Sequence, residues 1–351
     1  MYYLLAILGF GLLITIHELG HFIAAKASGV KVLEFSVGMG PKLLQKAAGE
    51  TTYSLRCLPI GGYCAMEGED VASDDPRAFS NQKLWKRLLI LVAGSGMNFL
   101  LGFVLVCVVF AGAAGFNGTD IASFREGCPY EGDLLPGDTI YMVNGERTYF
   151  SGNFVEAMNR GSGEGGCDLV LIRDGKRVEL NDYPLVPVEF TEPDGSTVRR
   201  YGINFAPTPN TFANWLRYSW WSCLDFVRMV RMGLGQLLSG SAGVKDMTGA
   251  VGMVVMIGEM GENASNAAEG LKNIAYFVAF LAVNLAVMNM LPIPALDGGH
   301  VFTLLLSAGW EKLSGRKPDP RIEGYIHAAG MVVLLGLIAV VMYNDVMRLL
   351  R

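Results

Sequence analysis

The chain has 351 residues, 51% of them hydrophobic and only 17% charged, with a mean hydropathy of +0.35. Soluble domains carry about a quarter charged residues, so an ordinary water-soluble globule does not describe the whole chain. A net charge of −5 with no basic stripe argues against a nucleic-acid partner, and six scattered cysteines with no C-x-x-C pair support neither a disulfide framework nor a cysteine zinc site.

Charge is nearly absent from four stretches, within residues 1–27, 88–117, 271–296 and 324–351. About 20 apolar residues cross a hydrocarbon core of about 30 Å, so each predicts a transmembrane helix. No Lys or Arg precedes the first apolar run, which therefore reads as a retained helix rather than a signal peptide.

Residues 28–87 between the first two helices are rich in Lys and Arg, which predicts a cytoplasmic loop. Within it, residues 30–37 and 52–57 read as strands around Gly38-Met39-Gly40-Pro41, with a turn at Pro59-Ile60-Gly61-Gly62-Tyr63. The loop is more apolar than a solvated linker needs to be, which suggests a membrane-dipping β-hairpin region.

Residues 118–206 alternate β-rich runs with turns at Leu135-Pro136-Gly137-Asp138, Asn144-Gly145 and Asp174-Gly175 and predict a compact soluble module. Cys128 and Cys167 fall within it, and whether they pair is open. In residues 207–270, Trp215, Trp220, Trp221 and Phe226 are interleaved with Arg217, Arg228 and Arg231, as in a helix lying along a membrane interface. Four crossings place residues 118–206 outside, residues 297–323 in a cytoplasmic loop and the carboxyl terminus outside.

The first helix carries His17-Glu18-Leu19-Gly20-His21. Residues i and i+4 share a helix face, so both imidazoles can bind one zinc with Glu18 beside it as general base. Ionisable groups in an apolar helix are costly and usually mark a function. Two histidines leave zinc short of a ligand. The third stretch ends in Leu291-Pro292-Ile293-Pro294-Ala295-Leu296-Asp297-Gly298-Gly299-His300, where two prolines stop the helix and unwind the backbone. Asp297 is the expected third ligand and His300 its competitor, with Gly298 and Gly299 allowing close backbone approach. His327 reads as an interfacial or packing histidine.

The pairing of His17-Glu18-x-x-His21 with Asn289-Met290-Leu291-Pro292-Ile293-Pro294-Ala295-Leu296-Asp297-Gly298 resembles the site-2 protease family of intramembrane metalloproteases, most closely its bacterial envelope-stress type. The resemblance covers nearly the whole chain. It implies a polytopic α-helical membrane protein with four transmembrane helices, a membrane-associated β-hairpin region and an inserted β-rich PDZ-like domain. It further implies one catalytic zinc on His17, His21 and Asp297, with Glu18 as base. Asn284, Asn289, Pro292 and Pro294 would bind the unwound substrate strand. Substrates would be single-pass transmembrane proteins, such as anti-sigma factors, or remnant signal peptides in the bacterial inner membrane. The site would lie near the cytoplasmic side and the PDZ-like domain outside. Two departures stand out: Gly94-Ser95-Gly96-Met97-Asn98-Phe99 lacks the family's proline after the first glycine, which puts a helix kink in doubt, and Gly249-Ala250-Val251-Gly252 lacks one as well. A catalytically silent scaffold and a metal transporter are the competing classes, the latter weakened by the lack of internal repeats.

Overall fold

The computed structural model describes residues 1–69, 73–160, 166–192, 195–315 and 320–350. In chain order it begins with helix α1 (Tyr2–Ser28), then strands β1 (Val32–Ala48) and β2 (Thr51–Met66) and helix α2 (Leu84–Ala111). There follow β3 (Gly115–Phe124), β4 (Thr139–Val143), β5 (Glu146–Arg147), α3 (Ser151–Arg160), β6 (Cys167–Arg173), β7 (Lys176–Tyr183), β8 (Val188–Thr191), β9 (Thr197–Arg200) and β10 (Ile203–Pro209). The chain continues through α4 (Phe212–Leu238), α5 (Ala250–Glu262), α6 (Ala267–Asn289), α7 (Asp297–Ser314) and α8 (Pro320–Leu349). Two compact units result: one from residues 1–109 and 226–351, the other from residues 110–225.

Among the described residues, four helices are long and apolar enough to cross a membrane: α1, α2, α6 and most of α8. In lipid, helices associate through close packing of small residues rather than through hydrophobic burial. Gly20 of α1 sits so close to α2 that a Cβ there would collide with the Ala93 carbonyl and lie 2.9 Å from Gly94 Cα. Gly102 of α2 packs on Ala279, Ala282 and Val283 of α6, and Gly258 and Gly261 of α5 accept the rings of Tyr3 and Tyr2. α1 ends at Gly29, whose left-handed φ of 80° lets its amide bond back to the last turn.

The β-region between α1 and α2 is more elaborate than a simple hairpin. Residues 42–48 pair with 51–56, residues 32–37 pair with 62–66, and Glu34 to Val37 also align with Thr52 to Leu55, residue numbers rising together. The result is four strand segments, with the 51–58 segment beside the 32–39 segment. Inside it, Ser54 and Arg56 donate to the Glu34 carboxylate, and Lys42 approaches it at 3.4 Å. Burial opposes ionisation of Glu34, yet the hydrogen bonds of Ser54, Tyr63 and Arg56 and the Lys42 charge hold its carboxyl down at about 2. Met39, Leu43, Leu44 and Leu58 are exposed on this sheet.

In the second unit the strand order is β10-β3-β4-β6-β7, with β5 on β4 and β8–β9 as a separate hairpin. The turn residues read from the sequence carry the backbone that a two-residue hairpin demands: φ is 49° and 78° at Asn144-Gly145, and 51° and 75° at Asp174-Gly175. Ile140, Val143, Leu169 and Leu171 of the sheet close over Phe154 of α3. Cys128 and Cys167 lie in this core as free thiols, and burial pushes Cys167 up to about 11. Asp138 receives Arg173 through two bonds of 2.7 Å and the Leu135 amide at 2.9 Å. Those contacts outweigh burial and keep its carboxyl below the usual range.

One expectation is corrected and another extended. Residues 297–323 are not simply a loop, because α7 occupies Asp297–Ser314 and ends in a left-handed cap at Gly315 (residues 316–319 lie outside the described set). The Pro292–Pro294 break stops one helix, but Asp297 restarts another in its first turn, where a carboxylate complements the helix dipole. Residues 207–270 hold, besides the helix that the Trp and Arg spacing predicts (α4), the apolar α5, which packs on α1 and α6. The absent proline at Ser95 leaves α2 as a helix unbroken from Leu84 to Ala111.

Candidate metal centre

α1 carries both histidines buried in the first unit, one turn apart, with ring centroids 4.7 Å apart. The break after α6 lets the chain turn back and bring Asp297 to them. His17 Nε2 lies 3.1 Å and His21 Nε2 3.4 Å from Asp297 Oδ2, and the two nitrogens are 3.2 Å apart. Among the described residues, these three form the group of His, Cys, Asp and Glu side chains close enough to share an ion.

The donor atoms fit a metal better than they fit one another. His21 Nδ1 is 2.8 Å from the Ile90 carbonyl, which can only accept, so Nδ1 carries the proton and a neutral ring turns its Nε2 lone pair inward. Asp297 Oδ2 is buried with no aligned donor although both rings stand beside it. Lone pairs and a carboxylate converging in this way repel unless a cation lies between them. Zinc bonds of about 2.0–2.2 Å to N and O put tetrahedral ligands about 3.3–3.5 Å apart, close to the three separations found. The residues therefore fit zinc.

Glu18 points to the β-sheet side: its Cγ is 3.7 Å from where a Cβ on Gly62 would stand. Asn289, on the last turn of α6, brings Nδ2 to 3.5 Å from His17 Nε2. Asn284 is half-buried, five residues earlier on the same helix. Pro292 is exposed, whereas Pro294 packs against Gly330 of α8. His300 does not join the cluster. Its ring stacks on His327 at 3.8 Å with 3° between planes. Gly298 and Gly299 make close backbone approaches to the turn before them rather than to the cluster: a Cβ on either would collide with backbone of residues 290–293.

Residues not singled out by sequence also build the centre. A Cβ on Gly94 of α2 would collide with His21 Nε2 and lie 2.8 Å from His17 Cε1. Its signal was the Gly94-Ser95-Gly96 run of small residues inside an apolar helix. The Ile90 carbonyl acts through backbone, which no side-chain motif marks.

The model of peptidase family M50 matches residues 5–337. A protein named as a zinc metalloprotease from Clostridium acetobutylicum is 37% identical over 97% of this chain and 96% of its own length. A similarly named protein of Clostridium perfringens is 32% identical over 99% and 98%. The regulator of sigma-W protease RasP of Bacillus subtilis is 26% identical over 97% of each. The chain belongs to peptidase family M50 and is a membrane zinc metalloprotease of the site-2 type.

Proposed function

We propose that this protein is an endopeptidase cutting transmembrane segments of single-pass membrane proteins or remnant signal peptides, with His17, His21 and Asp297 holding zinc and Glu18 acting as general base. The observation that carries the reading is the convergence of two imidazole nitrogens and one carboxylate oxygen at 3.1–3.4 Å. Zinc, when bound, supplies a Lewis acid that polarises the scissile carbonyl and acidifies water toward neutrality. Glu18 takes the proton of the attacking water and returns it to the leaving amine. His21 is kept in its ligating tautomer by Ile90. A helical substrate offers no free amides, so it must unwind before cleavage, and Asn284, Asn289 and the turn at Pro292 and Pro294 pair and seat the opened strand.

The basic residues of the 28–87 segment support a cytoplasm-facing site and an extracytoplasmic second unit in the bacterial inner membrane. That unit serves as a PDZ-like module. The name of the Bacillus relative supports a membrane-bound regulator of a sigma factor as substrate.

The ligand assignment is tested by zinc content. Asp297→Ala should strip most zinc from the purified chain, while His300→Ala should retain it; the reverse pattern would transfer the third ligand to His300. The role of the second unit is tested by deleting residues 118–205. Cleavage of pre-trimmed substrate should survive and intact substrate should newly be cut. Unchanged discrimination between the two would reject a gating role.

A further inference from the structure

The turn between α6 and α7 is held by a part of the chain that the zinc motif does not contain. Ala295, two residues before Asp297, has φ +77°, a left-handed conformation disfavoured for a residue with a Cβ. Its amide donates to His327 Nδ1 of α8 at 3.1 Å. With Nδ1 accepting, a neutral ring carries its proton on Nε2. That atom faces Thr303 Oγ1 of α7 at 3.4 Å, and the Thr303 hydroxyl donates to the His300 carbonyl at 3.1 Å. Every group in this chain of bonds therefore has one consistent direction, from the Ala295 amide through the imidazole and hydroxyl to the α7 backbone. The stacked His300 ring fixes the plane of the His327 ring. Gly330, three residues along α8, touches Pro294 so closely that a Cβ there would collide with the proline ring. α8 thus grips the turn at two points, Pro294 by packing and Ala295 by a hydrogen bond.

We propose that His327 is a positioning residue: its Nδ1 pins the left-handed turn at Ala295 that delivers Asp297 to His17 and His21. The inference rests on the proposed role of Asp297 as a zinc ligand. It differs from a packing role for His327 in depending on one acceptor atom rather than on ring volume.

The test is zinc affinity of the full chain in detergent, measured by competition with a chromophoric chelator, for His327→Asn, His327→Gln, His327→Leu and Asp297→Ala. Asn places its amide oxygen near the position of Nδ1, whereas Gln mimics Nε2 and Leu only fills space. Loss of a group that orients a ligand typically weakens metal binding by about 10–100-fold. That loss is expected for Gln and Leu, with Asn restoring affinity near the wild-type value. Equal affinity in all three, or Asn as weak as Leu, would overturn the proposal. Should the Leu variant fail to fold, the contrast between Asn and Gln decides alone. Weak binding by Asp297→Ala alongside normal binding by Gln and Leu sinks only the positioning role. Normal binding by Asp297→Ala sinks the ligand assignment and this inference with it.

Discussion

Glu18→Gln should lower cleavage of a reconstituted transmembrane substrate by about 10²–10⁴-fold, the usual contribution of a general acid–base group, while zinc stays bound. The two expectations have separate causes. The carboxylate lies beside the His17–His21–Asp297 cluster rather than within its converging donor set, so exchanging it for an amide of equal size removes no ligand. The amide keeps the same length and shape, so the packing beside Gly62 survives. What it cannot do is take a proton from water and hand it to the leaving amine. Cleavage and zinc per chain, measured on the same preparation, separate three readings. A silent scaffold would keep its cellular phenotype unchanged with glutamine. A transporter would still move metal into liposomes. Undiminished cleavage by the glutamine variant would remove Glu18 from the mechanism.

Sequence patterns that rest on backbone geometry or on strict helical spacing were legible in advance. His17 and His21 meet because i and i+4 share a face, and Asn144-Gly145 and Asp174-Gly175 form their turns because few other pairs tolerate two positive φ values. The break at Pro292 and Pro294 follows from ring sterics alone. What stayed hidden depends on partners distant in sequence. Residues 297–323 read as a loop, since the two prolines before them end a helix. The helix forms there nonetheless, because only a residue without Cβ fits against residues 290–293. α5, with 13 residues and a length of about 20 Å, is too short to register as a span. It gains its place by packing on α1 and α6. His327 reads as filler, since nothing around it in sequence shows that its Nδ1 accepts from an amide 32 residues away.

Gly94→Ala should abolish zinc binding and proteolysis without altering any ligand or the base. In an isolated helix this exchange stabilises by about 1 kcal/mol, because glycine is the poorer helix former. Here the sign reverses. The new methyl group would occupy the space of His21 Nε2 and press on His17 Cε1. α2 can make room only by opening the close seam where Gly20 meets Ala93 and Gly94. Overpacking of this kind costs about 1–3 kcal/mol, and a displacement of about 1 Å in a reacting group can cost about 10²-fold in rate. Gly96 supplies the control on the same helix, since a Cβ there meets nothing within 4 Å. Gly96→Ala should therefore bind zinc and cleave as the wild type does, with equal or higher thermal stability. Isothermal zinc titration and melting curves of the two variants make the comparison. Equal zinc affinity in Gly94→Ala and Gly96→Ala would mean that the helices part at little cost, and the tight glycine seam between α1 and α2 would no longer explain why the imidazoles stand where they do.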